Sequence, residues 1–216
     1  MKISRIGIVS VFIILLSVSC RSGEDMSAYF DEGRIENNTY ISDSTGWKMM
    51  IPDGWKLGLK MNSEENKQID KIYDNAGVSI SPKSSITQLI SLEKDNYNMF
   101  SANYGIAEHV NEDELRKVIT IGKELLPDTF VASIEIITIG PIRKEVIDNV
   151  NFLTYNFECL LPPPINKKMY GVSFLGIVND YYFSVSVNCT DLENRKEIMD
   201  AWFNSTFDKS KWKSIR

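Results

Sequence analysis

Apolar and polar residues alternate most regularly in the second half of the chain. Leu153, Tyr155, Phe157 and Cys159 take turns with Thr154, Asn156 and Glu158, and Tyr181, Phe183, Val185, Val187 and Cys189 with Tyr182, Ser184, Ser186 and Asn188. A period of two places each set on one face, which predicts two half-buried strands with aromatic-rich inner faces. Val172 to Val178 predicts a third strand, joined to the next by Asn179-Asp180, and Ile142 to Ile147 a fourth, followed by Asp148-Asn149. Asn and Asp tolerate the left-handed backbone of a tight hairpin turn, so these segments are read as an antiparallel meander. Leu89 to Leu92, Tyr104 to Ile106 and Val131 to Ile139 are further predicted strands.

The period changes to that of a helix in three places. Asn111-Glu112-Asp113-Glu114 starts a run with Leu115, Val118, Ile119, Leu125 and Leu126 at helical spacing, which Pro127 is expected to end. Thr190-Asp191-Leu192-Glu193 reads as a capping box opening a helix with Leu192, Ile198, Met199, Trp202 and Phe203 on one side. A shorter helix is predicted from Asn62-Ser63-Glu64-Glu65, with Ile69, Ile72 and Tyr73 as its apolar positions. The stretch GWKMMIPDGW, residues 46–55, reads as a strand carrying Trp47, Met49 and Ile51 on one face. Pro52 stops the ladder and Asp53-Gly54 turns the chain before Trp55, Leu57 and Leu59, so the aromatics that frame the turn are expected to pack rather than to bind.

The meander puts the strand at 170–178 between those carrying Cys159 and Cys189. Two spacings of about 4.8 Å separate them by roughly 10 Å, beyond the Cα reach of about 7 Å for a disulfide. Two buried free thiols are expected.

The first twenty residues, MKISRIGIVSVFIILLSVSC, carry Lys2 and Arg5, then an apolar run from Ile6 to Leu16, then small residues up to Cys20. A membrane span needs roughly 20 apolar residues, so this run reads as an export signal, residues 1–19, rather than a span. A cysteine at the first mature position resembles a bacterial lipobox. Leu16 stands four residues before it and Ser17 three, as in the looser Bacteroidetes type. The resemblance implies a thioether-linked lipid on Cys20 as a membrane anchor, several acyl chains holding firmly where one gives marginal binding. A plain signal peptide is the alternative. Residues 21–38, RSGEDMSAYFDEGRIENN, are polar and acid-rich and read as a linker reaching at most about 60 Å. The division expected is therefore a lipidated cysteine and linker over 20–38, one domain over 39–210, and a basic tail over 211–216.

Removing the signal leaves a chain more acidic than the −5 of the full sequence, which argues against nucleic acid as a partner. Lys209, Lys211, Lys213 and Arg216 form the one basic cluster. It reads as a solvated tail or as a contact for anionic headgroups.

Gly46, Trp47, Met49, Ile51, Pro52, Gly54 and Trp55 together resemble a strand motif of the PsbP-like superfamily. QLISLEKDNYNMF at 88–100, the capped helix at 112–126, VIDNVNFLTYNFE at 146–158 and WFNSTF at 202–207 follow in the matching order. The resemblance implies an α+β fold, a PsbP-like α/β/α sandwich with a central antiparallel sheet flanked by helices, and an accessory or partner-binding role without a shared catalytic constellation. A cystatin-like or other α+β domain is the alternative.

Catalytic motifs are sparse in this sequence. His109 is the single histidine and lies beside Glu108, Glu112, Asp113 and Glu114. Those acids are accounted for by the start of a helix, so no metal site is expected. There is no G-x-S-x-G, no G-x-G-x-x-G and no G-x-x-x-x-G-K, and no cofactor is expected. Paired carboxylates of the glycosidase kind depend on the fold and leave no sequence signature. Pro162-Pro163-Pro164 reads as a stiff loop between strands, and Leu161 to Lys168, with the turn near Asp53, as an exposed rim. The expectation is a lipid-anchored protein of the bacterial cell envelope, on its periplasmic face or the cell surface. It would be a non-catalytic module with an envelope protein as partner. The alternative is a small-molecule or carbohydrate binder using a groove in which Trp47, Trp55 and Tyr170 stack on the ligand.

Overall fold

The pairs Asn37-Asn38, Asp148-Asn149 and Asn179-Asp180 have φ between 44° and 61° at both positions, the signature of two-residue hairpin turns whose twist matches the flanking strands. They join β1 (Arg34–Glu36) to β2 (Thr39–Ile41), β8 (Arg143–Ile147) to β9 (Val150–Leu160), and β10 (Lys168–Val178) to β11 (Tyr181–Cys189). The computed structural model describes residues 30, 32–60, 86–106, 112–129 and 134–212. The signal, Cys20, the helix expected from Asn62 and His109 lie outside the described residues.

The remaining elements are β3 (Trp47–Met50), β4 (Lys56–Leu57), β5 (Thr87–Asp95), β6 (Asn98–Ile106), α1 (Glu112–Thr129), β7 (Glu135–Ile139), α2 (Leu192–Phe203) and β12 (Thr206–Phe207). Eight strands form one antiparallel sheet in the order β4-β5-β6-β11-β10-β9-β7, with β8 also on β9. β7 and β8 share one edge of β9, each taking one end of it. Between them Gly140 donates its N–H to the Asn156 carbonyl at 2.7 Å. A second sheet has the order β1-β2-β3-β12.

Alternation sends the two faces of the large sheet into separate cores. On one face Phe152, Phe174, Phe183, Val185 and Val187 pack with Ile198 and Trp202 of α2 and with Tyr40, Trp47 and Met49 of the small sheet. Trp202 is fully buried, stacked on Phe183 at 6.1 Å and edge-on to Phe152 at 5.2 Å. On the other face Leu115, Val118 and Ile119 of α1 cover Leu153, Tyr155, Phe157 and Leu175. The expected helix-flanked sandwich is thus modified. One covering layer is a helix, but the other is a helix plus a four-stranded sheet, which the short strands β1 and β12 complete.

Four local expectations are also corrected. The first helix passes through Pro127 to Thr129. Proline cannot donate to the carbonyl four residues back and its ring crowds that carbonyl, so the helix does not run far beyond it: it ends two residues later. The second helix is capped by Asp191, not Thr190: its side chain accepts from the amides of Glu193 and Asn194, both at 2.9 Å. On that helix Leu192 and Phe203 are exposed, while Ile198 and Trp202 form the buried stripe. Finally, the folded domain overruns both expected boundaries. Phe30 is buried and packs edge-on against Tyr40 at 5.5 Å, β1 falls in the supposed linker, and Trp212 packs against the core from the supposed tail.

Cys159 and Cys189 are free and buried. Met169 lies opposite Cys159 and Tyr170 opposite Cys189, so β10 separates the two thiols as expected. They even belong to different cores.

Candidate functional site

Tyr170 stands on β10 between Cys189 of β11 and Glu158 of β9, on the face covered by α2. It lines a recess of about 380 Å³ together with Asp95, Asn98, Lys167, Lys168, Thr190, Asp191 and Asn194. Three connections build this recess. The β5–β6 turn supplies Asp95, whose carboxylate accepts from Asn98 Nδ2 at 2.7 and 2.8 Å and from the Tyr97 amide at 2.8 Å. Asn98 Oδ1 in turn accepts from the amides of Thr190 and Asp191, at 3.1 and 3.2 Å, which fixes the start of α2 against that turn. The β9–β10 loop brings Lys167 and Lys168 to the rim.

Charge in the recess is balanced, with two lysines facing Asp95 and Asp191. Lys168 Nζ lies 3.0 Å from Glu158 Oε2 and 5.8 Å from the Tyr170 ring centroid, and Glu158 holds the ammonium above its usual range. Cys189 is fully buried beside Tyr170, and burial pushes its thiol up to about 12. At neutral pH it is therefore protonated and does not act as a nucleophile. What this arrangement offers is hydrogen bonding to a neutral polar molecule, from Tyr170, Thr190, Asn194 and Lys167, in a volume at the lower end of small-ligand sites.

Trp47 and Trp55 do not join Tyr170. Trp47 is fully buried among Tyr40, Phe100, Phe183 and Trp202. Trp55 is 6% exposed and donates its indole N–H to Glu197 Oε2 at 3.3 Å; the same oxygen lies 2.6 Å from Lys94 Nζ. The Lys94 ammonium and this N–H hold the Glu197 carboxyl below its usual range and tie α2 to the β4–β5 edge. Both tryptophans are packing residues in this fold, so the groove imagined for three aromatics reduces to a recess with one. Asp95, Asn98 and Asn194 were not foreseen there. Nothing local in the DNYN segment at 95–98 announces that Asn98 holds an amide some ninety residues later.

A second cleft, of about 300 Å³, lies between the start of α1 and the chain end, lined by Glu112, Leu115, Lys144, Asn149, Lys209 and Trp212 among others. Glu112 pairs with Lys144 and, at 3.6 Å, with Arg116, and Lys144 above all holds its carboxyl below the usual range. Among the described residues no group of three or more His, Cys, Asp or Glu is placed to hold a metal ion, and no helix is long and apolar enough to cross a membrane.

No family model matches the chain, and no curated protein does. Among solved structures, the chain is similar to the solution structure of cyanobacterial PsbP (CyanoP) from Synechocystis sp. PCC 6803, with a TM-score of 0.50 at 10% identity over 88% of this chain and 98% of that one. At such identity the likeness establishes a PsbP-like fold.

Proposed function

We propose that this is a lipid-anchored cell-envelope protein whose PsbP-like domain serves as a non-catalytic accessory or protein-binding module. One observation carries the reading. A signal-like segment ends at Cys20, and the folded domain has begun by Phe30, so residues 21–29 tether it within about 30 Å of a lipid on that cysteine. A domain held that close to a bilayer meets membrane-associated partners at high effective concentration. The aromatic residues of the chain support the same reading, since most of them build cores rather than a ligand groove.

Two measurements test it. Feeding expressing cells a labelled fatty acid should label the full-length chain and leave Cys20→Ala unlabelled; an unlabelled wild-type chain removes the anchor. Immobilised chain beginning at Arg21, exposed to detergent-solubilised envelopes, should retain one specific protein through high salt. Retention no better than by the denatured chain removes the protein-binding role.

The recess around Tyr170 favours a second reading, a small neutral polar ligand such as a saccharide. A thermal-shift screen of sugars should then give a hit that Tyr170→Ala abolishes. No hit, or a hit indifferent to that substitution, ends this reading.

A further inference from the structure

The recess around Tyr170 continues beyond β10. On the face covered by α2, one row of paired residues runs Cys189, Tyr170, Glu158, Thr138 across β11, β10, β9 and β7. Exposure rises along it: Cys189 is fully buried, Tyr170 and Glu158 are half-buried, and Thr138 is exposed. A second row, Lys168, Leu160 and Glu135, lies beside it and is exposed throughout. Asn156, the next β9 residue on this face, is exposed as well. Neighbouring strands lie about 4.8 Å apart, so this shelf runs about 10 Å from Tyr170 out to the β7 edge.

The core on this face, made with Ile198 and Trp202 of α2 and with the small sheet, takes in β10 from Val172 onwards but β9 only as far as Phe152. Further along β9 the same side turns polar, with Asn156 and Glu158 in line with Phe152. With Glu158 paired to Lys168 at 3.0 Å and Glu135 at the outer edge, recess and shelf together carry a small negative excess, which turns anions away. Tyr170 and Asn194 in the recess, and Asn156 and Thr138 on the shelf, offer donors and acceptors together. Their side chains take no hydrogen-bond partner among the described residues. Of the shelf side chains in these two rows only Leu160 is aliphatic, too little for the apolar anchors that a protein partner needs.

We propose that recess and shelf together hold a neutral oligosaccharide, one ring in the recess at Tyr170 and the following rings laid across β9 towards β7. This rests on the saccharide reading of the recess above and extends it from one small ligand to a chain. Sugar hydroxyls donate and accept at once, which matches the mixture of groups along the row. Lys168 already lies over the Tyr170 ring, 5.8 Å from its centroid, so the tyrosine meets the sugar through its hydroxyl. Each added ring then gains hydrogen bonds of modest net value until the shelf ends at β7. Affinity that grows with chain length and then levels off is the signature of this arrangement.

The test exposes the chain beginning at Arg21, which contains the whole described fold, to glycans printed as length series from monosaccharide to hexasaccharide, neutral and acidic. Calorimetry then measures the series that bind. The expected result is a neutral series whose affinity rises about tenfold or more over the first two rings added to the shortest sugar that binds. Replacing Thr138 and Asn156 together by Ala should remove that rise while leaving the shortest sugar's affinity and the melting temperature unchanged. Should the melting temperature fall, Thr138→Ala alone supplies the comparison. Tyr170-dependent binding that is equal at all lengths overturns the shelf and leaves the recess reading standing, and so does a length dependence that survives the double replacement. Preference for an acidic series overturns the neutral class. No glycan bound in any series removes the recess reading and this extension with it. If the double replacement then abolishes capture of the envelope protein, the shelf belongs to that partner instead.

Discussion

Gly46 shows how a single position is fixed by its surroundings. Its φ is +70°, and a Cβ there would lie 2.5 Å from the Asp208 carbonyl oxygen, which is backbone and has little room to move. Gly46→Ala adds left-handed strain to this clash and should lower the unfolding free energy by about 2 kcal/mol or more, measured by denaturant titration. At Gly54, φ is +78° but the nearest atom a Cβ meets is the end of the Lys94 side chain at 3.5 Å, so Gly54→Ala should cost less. The two thiols give a second residue-scale prediction. Native protein should react with a thiol reagent at neither Cys159 nor Cys189, and both should react once unfolded. The pH dependence follows from Cys189, raised by burial from 9.0 to about 12. Between those values the unfolded thiol loses its proton while the folded one keeps it, so unfolding is favoured as the pH rises. The contribution is whole below pH 9 and is lost on the way to about 12. Cys189→Ala should flatten that part of the stability curve, and an unchanged slope would mean that the thiol is not buried as described.

Turns act at the scale of the elements, each tying its hairpin to a distant piece of chain. Asn38 Nδ2 donates to the Ile51 carbonyl at 2.6 Å, Asn179 Nδ2 to the Ser44 carbonyl at 2.8 Å, and Asp148 Oδ2 accepts from the Phe207 amide at 2.6 Å. Asp148→Gly keeps the positive φ accessible and removes only the acceptor. It should cost about 1.5–3 kcal/mol and speed hydrogen exchange at the Phe207 amide, whereas Asn149→Gly should be nearly neutral. The same turns explain what could be read in advance. Asp148-Asn149 and Asn179-Asp180 stand between long alternating runs, so the meander of β8 to β11 and the separation of the cysteines followed from period and turn chemistry. β1 and β12 have three and two residues and no pattern of their own. They are strands because non-local partners hold them, and so of the small sheet only β3 was visible in advance. The candidate site divides in the same way. Tyr170 was visible as an aromatic on a strand, while the amide contacts of Asn98 that shape the recess exist only after folding. Trp47 and Trp55 read as packing residues from their place on a strand and turn, and their burial agrees; only the alternative ligand groove, which needed them exposed, is lost.

For the whole molecule the decisive quantity is where the domain begins. Composition puts the boundary at Thr39, because residues 21–38 are polar and acid-rich. The structure puts Phe30 in the core and Glu32 on the loop at 42–46, where Tyr40 also donates its hydroxyl to the Glu32 carbonyl at 2.7 Å. One buried phenylalanine in an otherwise solvated stretch is too little apolar surface to register as periodicity, yet truncating such a residue typically costs about 3–5 kcal/mol. A chain beginning at Met26 should therefore melt at the same temperature as one beginning at Arg21. A chain beginning at Thr39 loses Phe30, the Glu32 clamp and the β1 edge together, and should be several kcal/mol less stable or fail to fold. Equal melting of all three would return Phe30 to the linker and roughly double the reach of the tether. Under the proposed lipid on Cys20, the boundary would set how close to a membrane the domain is held, and with it which partners lie within its range.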